Sequence, residues 1–372
     1  MANLSSVARS AYGDLLRLLK DDMVANVRGS LVTKQRGDKV YWYAAEKIGH
    51  DVKFWYLGPD STETRDRVDR MKELRVQAGE RRKERARLAR LLRAEGMTPV
   101  DRGTGGLLLA MAKVGTFRLG GTLIGTNAFR LMEGELGTTL PLGSVASTGD
   151  VDIAQFERLS VALQDNVEPS LAETFSALKF DPVQGLDRNS VWRWRQRGAT
   201  GMMVEFLTPS FDEKEGIRDL PALGVKARAL HHLNYLISEP INAVALYRDG
   251  ILVQIPRPEK FAIHKLIVAD RRRDGSVSFK AEKDRHQAAF IIATMAEDRP
   301  SDIWEAYEDA LARGPRWRER IENAGADAGH AGHTARLRDW VDRAQGPPGR
   351  GSASFCGPVE HFLCPLVQAF AR

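Results

Sequence analysis

The stretch Phe117–Ile153 constrains this chain more than any other. An apolar run that reads as a strand ends in a glycine turn, Leu123-Ile124-Gly125-Thr126-Asn127, and a helix-like segment follows from Ala128 to about Leu136. The stretch closes on Thr148-Gly149-Asp150-Val151-Asp152-Ile153, two acids on a β-prone run. Side chains two residues apart on a strand share a face, with Cα atoms on the order of 6.5 Å apart. Asp150 and Asp152 therefore aim two carboxylates at one place. Gly120-Gly121 is a second glycine cluster, but the apolar Leu123-Ile124 leads straight into Gly125 and favours the later turn.

Several classes are set aside by composition. No run approaches the roughly 18 uncharged residues of a membrane helix, and Leu107–Met111 is far too short. Met1–Ser6 has no basic stretch followed by an apolar core, so no secretory signal is expected. Cys356 and Cys364 are the only cysteines. They are too few for a disulfide framework and read as free thiols in a tail, so a cytoplasmic location is expected. A net charge of +6 and a pI near 9.3 point to an anionic partner. Much of the excess lies in Ser61–Gly96, where twelve Lys or Arg accompany seven Asp or Glu. Nucleic acid, a nucleoside triphosphate and a solvated helix face laced with salt bridges all fit that pattern.

Residues 5–27 carry apolar positions at helical spacing, among them Tyr12, Leu15, Leu19 and Val24. The period then changes to three short aromatic strands joined by tight turns, around Leu31-Val32-Thr33, Val40–Tyr43 and Val52–Leu57. Lys34, Arg36, Lys39, Lys47 and Lys53 surround six aromatics there. Such a meander suits stacking of bases with cations on phosphates, and it equally suits a small core. Residues 62–95 predict a long charged helix, or two joined at Gly79, and Gly103–Gly115 a short buried one. A helix around Pro169–Leu178 precedes a hairpin of Ser190–Arg195 with Met202–Pro209. Ala243–Arg248 and Ile251–Ile255 form a further strand pair turned at Asp249-Gly250. Helices at Pro258–Arg272, Lys283–Met295 and Ser301–Ala312 follow, and residues 346–372 read as a Gly/Pro-rich tail.

Two carboxylates on one strand repel and raise one pKa unless a cation lies between them. Magnesium (or manganese), a hard cation that takes oxygen ligands and substrate phosphates, satisfies both. A third carboxylate on a neighbouring strand would complete a two-metal site of about 3.5–4 Å spacing. Glu205, the lone acid in Met202–Leu207, is the best candidate. In such a site the three acids would share an ion that lowers the pKa of an attacking hydroxyl. Asp150 and Asp152 would hold a second that accompanies a triphosphate. Gly125 admits close backbone approach to phosphates, Thr126 offers a hydroxyl and an amide, Asn127 stands beside them, and the helix that starts nearby adds its N-terminal dipole.

Ile124-Gly125-Thr126-Asn127-Ala128 with Thr148–Ile153 resembles the DNA polymerase β-type nucleotidyltransferase superfamily. Within it the chain is similar to a bacterial family of nucleotidyltransferase-fold proteins. That likeness also takes in Lys39–Tyr43, Tyr56–Asp60, Val204–Pro209 and Phe261–Leu266, and so spans roughly residues 28–295. More distantly it is similar to the nucleotidyltransferase toxins of abortive-infection type, whose nucleotidyl transfer to tRNA ends is a precedent for a substrate. In those toxins a lysine on the helix after the sheet contacts the nucleotide, and Lys265 occupies the comparable place. The chain departs from the superfamily in having Gly-Thr at the turn, a long insert over residues 129–149 and Glu in place of Asp as third acid.

The expected fold is α/β (α+β), a polymerase β-like mixed sheet with helices. Its expected division is an N-terminal helix and β-meander module (1–60), a linking helix (61–102), the transferase core (103–256), a C-terminal helical region (257–345) and the tail (346–372). The resemblance implies transfer of a nucleotide from a nucleoside triphosphate to an acceptor hydroxyl, with RNA or a tRNA end favoured and a protein or small molecule as other acceptors. Lys34, Arg36, Lys39, Trp42, Arg193 and Arg195 are the candidate acceptor-binding residues. An antitoxin or a second copy of the chain is a further candidate partner, and no membrane is expected. A non-catalytic nucleic-acid-binding protein on a lapsed transferase core is the alternative.

Overall fold

The structure, a computed structural model, describes residues 3–25, 30–48, 51–140, 149–162, 165–184, 190–198, 201–211, 215–273 and 278–326. The chain divides into two compact units, one of Met1–Leu140 with Ser147–Ile255 and one of Pro141–Ala146 with Pro256–Arg372. Its class is α+β, with a mixed sheet.

The first unit opens with α1 (Ser6–Ala25), whose Ala8, Ala11, Tyr12, Leu15 and Leu19 are buried along one stripe. They pack with Leu88, Ala89 and Leu92 of α2 (Thr62–Ala94) and with Val244 and Leu246. Between the two helices lie β1 (Ser30–Arg36), β2 (Lys39–Ile48) and β3 (Asp51–Pro59), an antiparallel three-stranded sheet. Gly58 of this sheet lies against the start of α2. Its φ is +152, and a Cβ there would meet Thr64 Oγ1 at 2.8 Å. Ser61 caps α2, its side chain accepting from Thr64 N at 3.2 Å.

The helix does not break at Gly79. An interior glycine costs about 1 kcal/mol, whereas each fully buried leucine in the second half contributes roughly 2 kcal/mol. Arginines secure the same half: Asp22 accepts from Arg81 and Arg85, and Arg85 also bonds Asp249 at 2.7 Å.

α3 (Arg102–Val114) follows, capped by Asp101, whose side chain accepts from Thr104 N at 3.0 Å. Next come β4 (Thr122–Ile124), α4 (Gly125–Leu131), α5 (Glu133–Leu136), β5 (Asp150–Ala154), α6 (Glu157–Ala162) and α7 (Leu171–Ala177). The strands β6 (Phe180–Pro182), β7 (Arg193–Gln196), β8 (Met203–Pro209), β9 (Ile217–Leu220) and β10 (Val225–Leu230) complete the main sheet. After α8 (Leu233–Leu236), β11 (Ile241–Ala245) and β12 (Ile251–Ile255) pair as a separate hairpin, Ala245 opposite Ile251.

The main sheet has seven strands, in the order β4-β5-β8-β10-β9 with β7 and β6 added beside β8. β8 is its hub. One edge of β8 pairs in parallel with β5, while the other pairs first with antiparallel β7 and then with parallel β10. Alternation along these strands sorts the two faces. Val151, Ile153, Val204, Phe206 and Trp194 point one way and are buried. Trp194, Phe206 and Phe175 meet there with ring centroids 5.1 to 6.1 Å apart. The other face carries Asp150, Asp152, Glu205, Arg193 and Arg195 beside the buried Ile124, Ala154 and Leu207.

The second unit is helical in its described residues. α9 (Pro258–Arg271) packs with α10 (Ser278–Asp298), α11 (Pro300–Ala312) and α12 (Pro315–Ala326) around Phe261, Ile263, Leu266, Phe290 and Ile303. Three expectations are amended by the structure. The helix after the glycine turn starts at Gly125 itself and is two short helices. The 243–248 strand lies two residues earlier, as Ile241–Ala245. Residues 217–230, which carried no strand expectation, supply β9 and β10. The tail, with its cysteines, lies outside the described residues, as do residues 141–148 of the insert.

Candidate active site

β5 and β8 run parallel with Asp152 level with Glu205 and Asp150 level with Met203. Both acids of β5 and Glu205 thus sit on one face, opposite Val151, Ile153, Val204 and Phe206. Asp150 is exposed, and Asp152 and Glu205 are half-buried. Neighbouring strands lie about 4.8 Å apart. Like charges directly opposite on neighbouring strands repel, so this face favours a positive neighbour.

Part of it comes from the chain itself. Arg193 of β7 is level with Glu205 on the side away from Asp152, and Arg195 is level with Met203. One row across the sheet therefore reads Asp152, Glu205, Arg193. Arg193 lies over the ring of Trp192, 5.0 Å from its centroid, and Arg228 of β10 lies 5.8 Å from the same centroid. Arg193 Nε is buried with no hydrogen-bond partner among the described residues. Trp192 alternates with Arg193 in the sequence and can be read as a base-stacking ring, whereas Arg228 is not singled out there. The alternation Lys226-Ala227-Arg228-Ala229-Leu230 was the available signal for the latter.

The glycine turn closes on the same place. β4 pairs with β5 so that Ile124 is level with Asp152. Gly125 follows at φ +68, and a Cβ there would sit 2.6 Å from Asp152 Oδ2. Only glycine fits the backbone and the space together. Asn127, buried in α4, donates from Nδ2 to the carbonyl oxygen of Asp150 at 2.7 Å. Its amide holds the strand that carries the acids. No side chain caps α4 at Ile124, and Thr126 is half-buried at its first turn. With seven residues, α4 supplies little macrodipole.

Lys265 belongs to the second unit. Its ammonium donates to Asp284 Oδ1 at 2.5 Å and lies 5.2 Å from the Phe261 ring centroid. Asp284, 2% exposed, also receives Arg272. Lys265 is thus held by a buried carboxylate of its own unit. Trp42 is held too: its Nε1 donates to Asp60 at 2.9 Å, and Lys72 of α2 lies over its ring. Lys34, Arg36 and Lys39 stand on the other face of the meander. Arg65 beside Asp60, with the Trp42 N–H, holds that carboxyl well below the usual carboxylate range.

The donor set on β5 and β8 is all carboxylate oxygen, the chemistry that magnesium and manganese take. Strand register supplies it, and in that sense the residues fit such an ion. Among the described residues no three Asp, Glu, His or Cys side chains are grouped to hold a metal.

A family described as Nucleotidyltransferase matches residues 102–312. The chain belongs to this nucleotidyltransferase family. The match starts at the first residue of α3, ends at the last of α11 and includes the glycine turn and all three acids. Comparison with curated proteins and with solved structures gives no match. Membership makes the chain a transferase and implies a nucleoside triphosphate as substrate. Among the described residues no helix is long and apolar enough to cross a membrane.

Proposed function

We propose that this nucleotidyltransferase transfers a nucleoside monophosphate from a nucleoside triphosphate to an acceptor hydroxyl, with an RNA end as the favoured acceptor. The observation that carries the proposal is the register of Asp152 with Glu205, closed from the β4 side by Gly125. The acceptor oxygen forms a bond to the α-phosphorus, the bond from that phosphorus to the β-phosphate oxygen breaks, and pyrophosphate leaves. The hydroxyl proton passes to a carboxylate oxygen of the set. Asp150, Asp152 and Glu205 would hold magnesium or manganese, which supplies charge neutralisation on the phosphates and acidifies the attacking hydroxyl when bound. Gly125 keeps the backbone clear for the triphosphate, and Thr126 offers its hydroxyl and amide. Arg193, level with Glu205, stands where a positive charge would meet phosphate oxygens, and Arg195 flanks it.

The test is incubation with labelled nucleoside triphosphates, Mg²⁺ or Mn²⁺ and total RNA, beside Asp150→Asn/Asp152→Asn and Glu205→Gln. Transfer by the wild type that disappears in both variants is expected. Label transfer that survives the double variant would sink the assigned site. A second reading, a nucleic-acid-binding protein without catalysis, is favoured by the exposed Phe54 and Tyr56 beside Lys34. It wins if no acceptor takes label while nucleic acid binds with a steep salt dependence.

A further inference from the structure

The meander β1–β3 lies outside the residues that match the family, and its two faces differ. Cross-strand partners share a face. The register Lys34↔Tyr41, Val32↔Tyr43, Tyr43↔Tyr56 and Ala45↔Phe54 places Tyr41, Tyr43, Phe54 and Tyr56 together. Phe54 and Tyr56 are 45% and 58% exposed, so these rings are not the core of a small domain. That duty falls to the opposite face. Ala44 is buried there, and Trp42 pairs across the strand with Gly58, which packs against Thr64 of α2.

Exposed Tyr56 meets the half-buried Tyr43 and Tyr41, at 5.5 Å and 6.1 Å between centroids. Cations border these rings. Lys34 Nζ stands 3.1 Å from the Phe54 centroid and 5.3 Å from that of Tyr43. Arg36 and Lys39 face each other at one end, and exposed Lys47 pairs with Val52 toward the other. Among the described residues of the three strands, Asp and Glu occupy only the opposite face: Glu46 pairs with Lys53, and Asp51 with Ile48. Large exposed rings are a liability unless something covers them. A protein partner would need no such one-sided charge. Unpaired bases between phosphates need both rings and cations.

We propose that this face binds single-stranded nucleic acid. Bases stack on Tyr41, Tyr43, Phe54 and Tyr56, while Lys34, Arg36, Lys39 and Lys47 meet the phosphates. If the transfer reading holds, the bound strand is the acceptor, and in that role alone this proposal rests on it. The binding itself stands apart.

The experiment titrates the full chain into fluorescein-labelled single strands of about twelve nucleotides, one RNA and one DNA, followed by fluorescence anisotropy. Binding of either strand is expected, and the pair shows whether the 2′-hydroxyl is contacted. Phe54→Ala/Tyr56→Ala should weaken it by roughly 10- to 100-fold, with Tm unchanged because both rings are exposed. Replacing Lys34, Arg36, Lys39 and Lys47 by Ala should reduce the slope of log K against log salt by about 3. Asp150→Asn/Asp152→Asn should bind as the wild type does, which separates loss of binding from loss of transfer. The proposal is overturned if Phe54→Ala/Tyr56→Ala binds like wild type, if duplex RNA competes as well as the single strand, or if the ring variant only dissolves a dimer.

Discussion

Gly125→Ala isolates the contact on which the candidate site turns. At φ +68 an L-residue costs about 1–2 kcal/mol. Reduced freedom of the unfolded chain returns about 0.4–1 kcal/mol, so the backbone part of the change is a net loss of roughly 0.5–1 kcal/mol. The remainder is steric. The new Cβ would stand 2.6 Å from Asp152 Oδ2 where ordinary contact begins at 3.4 Å, so the carboxylate has to move by roughly 0.8 Å. A displacement near 1 Å costs on the order of 10²-fold in rate. Gly224→Ala is the matched control, because Gly224 has φ +63 and nothing within 4 Å of a Cβ. The assay pairs urea unfolding with nucleotidyl transfer for both variants. Similar stability losses are expected, with transfer lost only in Gly125→Ala. If Gly125→Ala transfers nucleotide as well as Gly224→Ala does, the contact with Asp152 is not part of the site.

Lys265→Ala should destabilise the protein by about 2–4 kcal/mol, because buried Asp284 would lose the ammonium at 2.5 Å while Arg272 stays; unchanged Tm with a raised KM for nucleotide would make Lys265 a nucleotide contact. Tyr12→Phe removes the acceptor of the Val244 N–H bond at 3.3 Å, and urea unfolding should show a loss of roughly 1–2 kcal/mol. No measurable change would mean that the N–H finds water instead. Burial pushes the Glu259 carboxyl up, against the backbone and the Arg257 guanidinium. Because its folded pKa lies above its unfolded one, the native state binds the extra proton between them. Stability from this group is therefore present below the unfolded pKa and declines as pH rises through the folded one. Glu259→Gln should flatten that decline in a Tm-against-pH series, and a steeper decline would contradict the sign.

Much of the framework was legible because its signals are local. Helical spacing marked α1, α3, α9 and α11, and period-two alternation marked the meander, β5 and β8. β6 and β9 were missed because three or four residues carry no measurable period. β10 is longer, but its Lys-Ala-Arg-Ala alternation has small residues on the buried side, which suits helix and strand alike. Propensity alone left open two helices joined at Gly79, and the packing of Leu88 and Leu92 decides for one. In the meander the rings and cations were evident. Which of them share a face was not, because the irregularity between Trp42 and Tyr43 and the docking of Gly58 on α2 are tertiary facts.

The same division holds at the candidate site. By itself the sequence determined that Asp150 and Asp152 share a face, since alternation along a strand is a property of the backbone. It also marked Gly125 as a turn and Glu205 as an acid among apolar neighbours. Only the tertiary structure decided that β8 lies beside β5, that Glu205 is level with Asp152, and that Arg193 continues the row. Only there does Gly125 meet Asp152, and only there is Lys265 taken up by Asp284. The reason is that strand register and ion-pair choice join residues far apart in the chain. A shift of a single residue in pairing would have turned Glu205 into the core.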